Sequence, residues 1–443
     1  MSEQPLQPLL WPALIRGGFF RSRTCRTRLK SGRRFPRVSR PAKKIFLIGA
    51  DGYLGHALNR RFRSAGWSVV ESGLASSKRD DYVNLNIRDR DATHARISEI
   101  APDLVVHAAG ISSLQGCESD KDLARSTNVD GTTHVVEGAL QCSSRPRVVF
   151  LSSDYVFDGV KGGYDESSER NPKTFYGETK MLGEDIILSQ MPESLVVRTS
   201  NVYGRGGKFF SFIMDNLKRS RPVELYTNTH YTPTYLDFFT GGVLSLLRKG
   251  TSGIVHVAGA TRLSRFDFGR SACEALGVDP GLVQPSEQPD SGLVAQDSSL
   301  VTHLPPNLLA AFNPTPAEAF QYLLGHKICP YFEFNDQRGS IRGLSRGGPW
   351  REINHASSRQ GTKRGNHWHR DTSESFYIIR GEVRVETKDM LSGEEHSFLA
   401  GTGDFFTIPQ MTLHSFSMLA DAEWINLLSA PMDEDAPDIL NPS

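Results

Sequence analysis

Short continuous apolar runs alternate with stretches whose apolar residues recur at helical spacing along most of the chain. Lys44 to Ile48 is the first such run, and Leu58 and Phe62 follow it four apart. Trp67 to Val70, Asp103 to Gly110 and Val148 to Leu151 repeat the theme. An unbroken apolar run predicts a strand buried on both faces, and strand–helix alternation predicts a parallel sheet with right-handed crossovers. Smaller strands and helices are expected between Val202 and Leu324. A proline-rich break (Pro305, Pro306, Pro314, Pro316) precedes a last helix ending near Gly325. From Tyr331 the pattern turns to short strands with turns about every ten residues, the mark of a separate all-β unit. The expected division is 1–43 as a disordered basic extension, 44–325 as a dinucleotide-binding domain with a small substrate lobe over 202–325, and 332–435 as the β unit.

Charge sharpens that division. Residues 1–44 hold 12 Lys/Arg against one acid, Glu3, and the remainder holds 39 against 49. An acidic folded body argues against a nucleic-acid-binding surface. The arginine-rich segment before Lys44 shows no sustained periodicity, which fits a disordered tail, an organelle transit peptide or a start placed too far upstream. No apolar run approaches the ~18 residues that a spanning helix needs, so no membrane insertion is expected. Cys25, Cys117, Cys142, Cys273 and Cys329 form no CxxC pair, as expected of reduced thiols in the cytoplasm. At 443 residues the chain is too long for one core.

Candidate chemistry gathers at the strand ends, where doubly wound sheets bind ligands. After the first run comes Gly49 to Gly55 (GADGYLG), whose three glycines allow a tight turn, close approach to a pyrophosphate and close helix–strand packing. Gly49, Asp51, Gly52, Tyr53, Leu54 and Gly55 are therefore candidate cofactor contacts. Glu71 at the end of the second strand fits an adenosine ribose and NAD, whereas Lys78 and Arg79 fit a 2′-phosphate and NADP; solvated loop charges are the alternative. Ala108, Ala109 and Gly110 end the next strand with residues small enough for a nicotinamide nucleotide to lie close, and a helix is expected around Asn128.

The stretch from Leu151 to Lys180 carries the acid–base equipment. Ser153 closes an apolar strand, and Tyr176 and Lys180 lie four apart, on one face of a helix. An ammonium beside a phenol favours the phenolate and is expected to draw its pKa down from the usual ~10. Such a set suits the interconversion of a carbonyl and an alcohol.

These residues together resemble a family. The glycine turn, Ala108 to Gly110, Ser153 and Tyr176-x-x-x-Lys180 are similar to the extended short-chain dehydrogenase/reductases. More narrowly, SSDYVFDG (Ser152 to Gly159), RTSNVYG (Arg198 to Gly204), TPTYLDFF (Thr232 to Phe239) and GIVHVAG (Gly253 to Gly259) resemble dTDP-4-dehydrorhamnose reductases. The resemblance implies a Rossmann-like domain using NADPH or NADH, with Ser153 and Tyr176 on the sugar 4-keto oxygen, Tyr176 giving the proton and Lys180 holding the nicotinamide ribose. It adds Asn86, Ile87 and Asn128 to the cofactor contacts; Asn86 stands where the family usually has Asp. Lys208, Arg221 and Arg262 are candidate partners of the substrate diphosphate.

In the β unit the spacing is Gly361-x5-His367-x-His369-x4-Glu374-x6-Gly381, then Gly403-x5-Pro409-x4-His414. On a strand, residues two apart point to one side, so His367 and His369 present two imidazoles together. With Glu374 and His414 they make a ligand set for a divalent transition metal: Zn, Fe, Mn or Ni. The spacing resembles the cupin family, which implies a small β-barrel. Met411 departs from the usual glycine of the second motif and Met418 from a frequent asparagine. Phe334-x-Asp336-x-Arg338-Gly339 with Arg364 to His369 is similar to the cupin tail of bifunctional capsular-sugar reductases, which implies handling of the same nucleotide-sugar ketone.

The expected activity is NAD(P)H-dependent reduction of the 4-keto group of a nucleotide-linked 6-deoxy sugar in polysaccharide biosynthesis. A metal cupin would epimerise or isomerise the ketone, and the assembly would be a homodimer. Alternatives are a nucleotide-sugar epimerase or dehydratase on the same fold, or a non-catalytic NADP-binding regulatory module.

Overall fold

The computed structural model describes residues 43–75, 81–289, 293–304, 314–324, 332–336, 339–343, 350–391, 393, 395–431 and 438–441. The expected extension over 1–43 falls, except for Lys43, outside the described residues, as do Lys78, Arg79 and Arg338.

Seven parallel strands form the first sheet: β1 (Lys44–Ile48), β2 (Ser68–Gly73), β3 (Tyr82–Asn84), β4 (Leu104–His107), β5 (Arg147–Leu151), β6 (Leu195–Arg198) and β7 (Gly253–His256). Their order is β7-β6-β5-β4-β1-β2-β3, every neighbouring pair parallel. The unbroken apolar runs explain the centre. Ile45, Phe46 and Leu47 have no exposure at all, because helices cover both faces of a parallel sheet. Two apolar layers result. One runs from Ile45 and Leu47 through Leu58 to Phe320, and the other from Phe46 and Ile48 through Val135 to Ile187.

The main helices are α1 (Tyr53–Ser64), α2 (Arg90–Ile100), α3 (Gly131–Gln141) and α4 (Phe175–Gln190). Asp89 caps α2, accepting from Ala92 N at 3.0 Å, and Thr174 caps α4, accepting from Gly177 N at 3.1 Å. Asn128 itself lies in a π-helical turn, Ser126–Asp130, just before α3. Because β1 pairs with β2 on one side and β4 on the other, the crevice between the ends of β1 and β4 is the point where the strand order reverses. That is where this architecture takes its ligand.

Two departures from the sequence expectation concern β2 and charge burial. β2 runs on to Gly73, past the expected end at Val70, so Glu71 sits inside the strand, buried, its carboxylate 3.2 Å from Arg63. Deeper in the sheet, Arg198 and Glu184 form a fully buried pair at 2.7 Å, with Ser152 and Arg170 also donating to Glu184. Several donors on one carboxylate are what keep such a pair affordable out of water.

The C-terminal strands are β8 (Glu352–Ser358), β9 (Lys363–His367), β10 (Glu374–Arg380), β11 (Glu382–Asp389), β12 (Glu395–Gly401), β13 (Phe405–Ile408), β14 (Thr412–Met418) and β15 (Ala422–Leu428). They make two four-stranded antiparallel sheets, β8-β15-β10-β13 and β9-β14-β11-β12. Alternation is visible in β14, buried at every second residue. Phe376, Phe406 and Trp424 from one sheet pack with Val385, Phe416 and Met418 from the other in a single core. No described helix is long and apolar enough to cross a membrane.

Candidate active site and metal centre

Gly49 takes φ +92°, the left-handed region, and a Cβ there would stand 2.5 Å from Ala109 N. The turn after β1 therefore lies directly against the end of β4. A Cβ on Gly55 would lie 2.1 Å from Gly49 O, so α1 packs on its own turn. Gly52 is the N-cap of α1 and no side chain caps it. The open helix end and the Gly49–Ala109 approach fit a dinucleotide pyrophosphate. Gly49→Ala is expected to cost about 1–2 kcal/mol in backbone strain alone, with a further loss of NADPH affinity read by fluorescence titration. Unchanged melting and binding would contradict this role.

Asp51 is turned away from the helix end, its carboxylate accepting from the Tyr82 hydroxyl at 2.8 Å and from Ala75 N at 3.1 Å. Asn86 folds back on Arg88 N at 3.2 Å, and Ile87 is buried beneath Gly131. The Asn128 amide accepts from Ile111 N at 2.7 Å and donates to Ile111 O at 2.9 Å and Thr179 Oγ1 at 3.0 Å. It thus fixes the loop after β4 to α4.

Ser153, Tyr176 and Lys180 are all buried at the end of β5 and the first turns of α4. Lys180 Nζ donates to Leu151 O at 2.9 Å and lies 4.7 Å from the Phe150 ring centre. A Cβ on Gly110 would stand 3.8 Å from that ammonium, which places Lys180 at the crevice. Burial pulls the Lys180 pKa down to about 8, opposed by the charge of Glu184. The expectation of a depressed phenol is corrected here. Burial raises Tyr176 well above the ordinary tyrosine value, and the neighbouring Ser153 hydroxyl only partly opposes the rise. The cause is burial, which disfavours the charged phenolate, and the nearby Asp154 carboxylate adds to it. Tyr176 is thus held as a proton donor.

Sequence reasoning missed the support under Ser153. Its Oγ donates to Asp154 Oδ1 at 2.9 Å, and the other carboxylate oxygen accepts from Ser200 at 2.8 Å and Ser298 at 2.7 Å. Ser298, far along the chain, gave no local signal. Of the diphosphate candidates, Arg262 is taken by Asp297 at 2.7 Å, while Lys208 and Arg221 are exposed.

In the β unit, His367, His369, Glu374 and His414 converge, their ligand atoms all within 4.8 Å of one another. The simple strand alternation expected for the two first histidines is replaced by a bulge between Gly365 and His367, with Asn366 at φ +61°. His369 lies beyond β9. Its Nδ1 bonds the Asp438 carbonyl, and His414 Nδ1 faces Thr412 O at 3.1 Å. Both rings thereby turn Nε2 toward Glu374 Oε2, at 3.3 Å and 3.0 Å. Yet His369 Nε2 and Glu374 Oε2 are buried without a well-directed hydrogen bond. Burial would raise Glu374, but His369 and His414 outweigh it and hold the carboxyl far below its usual range. Burial and the two neighbouring imidazoles lower His367, keeping that ring neutral. Orphaned ligand atoms and oriented second nitrogens fit a divalent metal. Asp438 was not legible as a partner, since it acts through its backbone. Met411, where glycine was expected, adopts φ +58°.

Comparison with known proteins bears on both units. The family described as RmlD substrate binding domain matches residues 43–305, and the polysaccharide biosynthesis C-terminal domain matches 334–438; that description stands where a cupin was expected. A probable low-salt glycan biosynthesis reductase of Haloferax volcanii is 32% identical over 254 residues, 55% of this chain and 84% of that protein. The dTDP-4-dehydrorhamnose reductase of Mycobacterium tuberculosis is 31% identical over 252 residues, 55% and 79% of the two chains. A hypothetical dTDP-4-dehydrorhamnose reductase from Sulfolobus tokodaii superposes with TM-score 0.53 at 30% identity, over 58% of this chain and 91% of that one. The Bacillus anthracis dTDP-4-dehydrorhamnose reductase, solved with NADP, shares the fold at TM-score 0.57 and 22% identity, over 64% and 98%. With the glycine turn, the serine, the tyrosine and the lysine in place and well over half its length matched, the chain belongs to the RmlD substrate binding domain family.

Proposed function

We propose that the chain reduces the 4-keto group of a nucleotide-linked 6-deoxy sugar, with Ser153, Tyr176 and Lys180 as its catalytic residues. The observation that carries this reading is the gathering of these three side chains, all buried, at the crevice beside the glycine turn. Bound NADPH or NADH supplies the hydride. The Tyr176 hydroxyl donates to the ketone oxygen, and Ser153 joins it by turning its single O–H from Asp154 to the substrate. As charge develops on that oxygen, Tyr176 passes its proton to it and leaves the alcohol. Lys180 then faces a phenolate, and its positive charge stabilises the anion. Gly49, Gly52 and the end of α1 hold the cofactor pyrophosphate, and Ala108 to Gly110 leave room for its nicotinamide half.

Protonated Lys180 is present below a pH of about 8 and lost above it. Because kcat/KM reports the free enzyme, it is expected to fall as pH rises through about 8. A flat profile from 7 to 9 would remove the charged lysine from the mechanism.

The β unit is read as a cupin-like barrel whose His367, His369, Glu374 and His414 hold a divalent transition metal. Such an ion polarises a carbonyl oxygen, and so makes the neighbouring C–H more acidic. The activity assigned to this unit is epimerisation or isomerisation beside the ketone, on the same nucleotide sugar. The test incubates the protein with NADPH or NADH and dTDP- or UDP-4-keto-6-deoxyhexoses and identifies the product sugar. A 4-hydroxy product with stoichiometric cofactor oxidation is expected, and conversion without net oxidation would instead indicate an epimerase. In deuterated water the metal-loaded protein is expected to place deuterium at C3 or C5 of the ketone; none there would sink the second activity.

A further inference from the structure

In a Rossmann-like sheet the acid that accepts from the adenosine ribose stands at the end of β2, about 20 residues beyond the glycine turn. Glu71 has that spacing but is already engaged: it lies inside β2, buried, with Arg63 on its carboxylate at 3.2 Å. β2 itself ends at Gly73, and a different acid occupies that end. A Cβ on Gly73 would stand 2.0 Å from Asp51 Oδ2. The Asp51 side chain, carried across from the glycine turn, thus fills the place that a side chain at the end of β2 would take.

Its seat is well defined. The Asp51 carboxylate accepts from the Tyr82 hydroxyl, at 2.9 Å to Oδ1 and 2.8 Å to Oδ2, and from Ala75 N at 3.1 Å. Asn84 Nδ2 donates to Leu74 O at 3.0 Å and to Ala75 O at 3.2 Å, so the chain leaving β2 is held on both sides. Asp51 is exposed, and a carboxylate has about four acceptor sites, so a phenol and one amide do not exhaust it. Arg63, the cation in contact with the neighbouring acids, is shared by Glu71 and Asp81. No cation pairs with Asp51 among the described residues. An unneutralised carboxylate therefore stands where this architecture brings the adenosine ribose. A ribose 2′-hydroxyl can donate to it, whereas a 2′-phosphate sets nearly two negative charges against it.

We propose that Asp51 sets the choice of coenzyme, accepting a hydrogen bond from the adenosine 2′-hydroxyl of NADH and repelling the 2′-phosphate of NADPH. The assignment rests on the dinucleotide reading of the glycine turn and deepens it. Fluorescence titration of the full chain with NADH and with NADPH, without sugar, tests it. The native chain is expected to bind NADH about tenfold or more tighter than NADPH. Asp51→Asn keeps an acceptor for Tyr82 and Ala75 but loses the charge. It is expected to tighten NADPH and so narrow the ratio about tenfold or more. A merely structural Asp51 would instead weaken both coenzymes together, and a melting curve shows that the variant is folded; if it is not, the native ratio decides. Neither coenzyme binding would overturn the dinucleotide reading and this assignment with it. NADPH bound as tightly as NADH or tighter, the result that Lys78 and Arg79 would give by holding the phosphate, would overturn the assignment alone. A ratio unmoved by Asp51→Asn would do the same.

Discussion

Tyr176→Phe is expected to lower kcat on a 4-keto sugar nucleotide by about 10²- to 10⁴-fold, the range that general acid catalysis contributes. The ring fills the same space and packs edge-on to Tyr155 at 6.1 Å, so folding should be spared. NADPH affinity should change little, because the glycine turn and Lys180 remain. The loss therefore separates chemistry from binding: single-turnover hydride transfer collapses while fluorescence titration of the cofactor is unmoved. Ser153→Ala should cost less, since it removes one of two donors and leaves the proton source. A Tyr176→Phe enzyme turning over at the native rate would remove the central residue of the reading.

Removal of metal ligands is expected to have the second large effect. His414 is buried, its Nε2 at 3.0 Å from Glu374, and no other described imidazole reaches that corner of the cluster except His367 and His369. His414→Ala should weaken zinc or manganese by at least the 10- to 100-fold typical of losing even an outer partner. In the native chain, a metal at about 100 times its Kd stabilises the state that binds it by about 2.7 kcal/mol, so chelation should lower the melting midpoint of the β unit. The variant should show no such shift. Metal analysis after loading and dialysis, together with melting curves with and without chelator, decides the matter. A wild-type protein that retains no ion and melts identically in both conditions would mean that the four side chains are only a buried polar cluster.

Much of the first unit was legible in the sequence because its information is local. Runs such as Ile45 to Ile48 state their burial directly, and the glycine spacing states the turn. Ser153, Tyr176 and Lys180 lie within one strand–loop–helix passage, so their meeting follows from a single connection. What stayed hidden depends on distant segments or on solvent exclusion. The phenol's raised pKa is set by how dry the pocket becomes, which no spacing reports. Asp154 gains Ser298 from a segment more than a hundred residues away. The histidine pair was visible, but the bulge that aims it was not, because a one-residue insertion in pairing leaves no mark in a polar stretch such as Lys363 to His367.

Arg205 follows the short strand Val202–Tyr203, which pairs with Thr234–Tyr235, and its guanidinium reaches Gln410 O at 3.1 Å, Thr412 Oγ1 at 3.0 Å and the Leu323 carbonyl at 3.1 Å. Two of those acceptors lie on the approach to His414. A fragment cut before residue 332 would keep the cation and lose most of what it holds, and the excised β unit would lose an anchor beside its metal ligands. Excision would therefore injure both halves, and activity measured on either alone would understate what the intact polypeptide does.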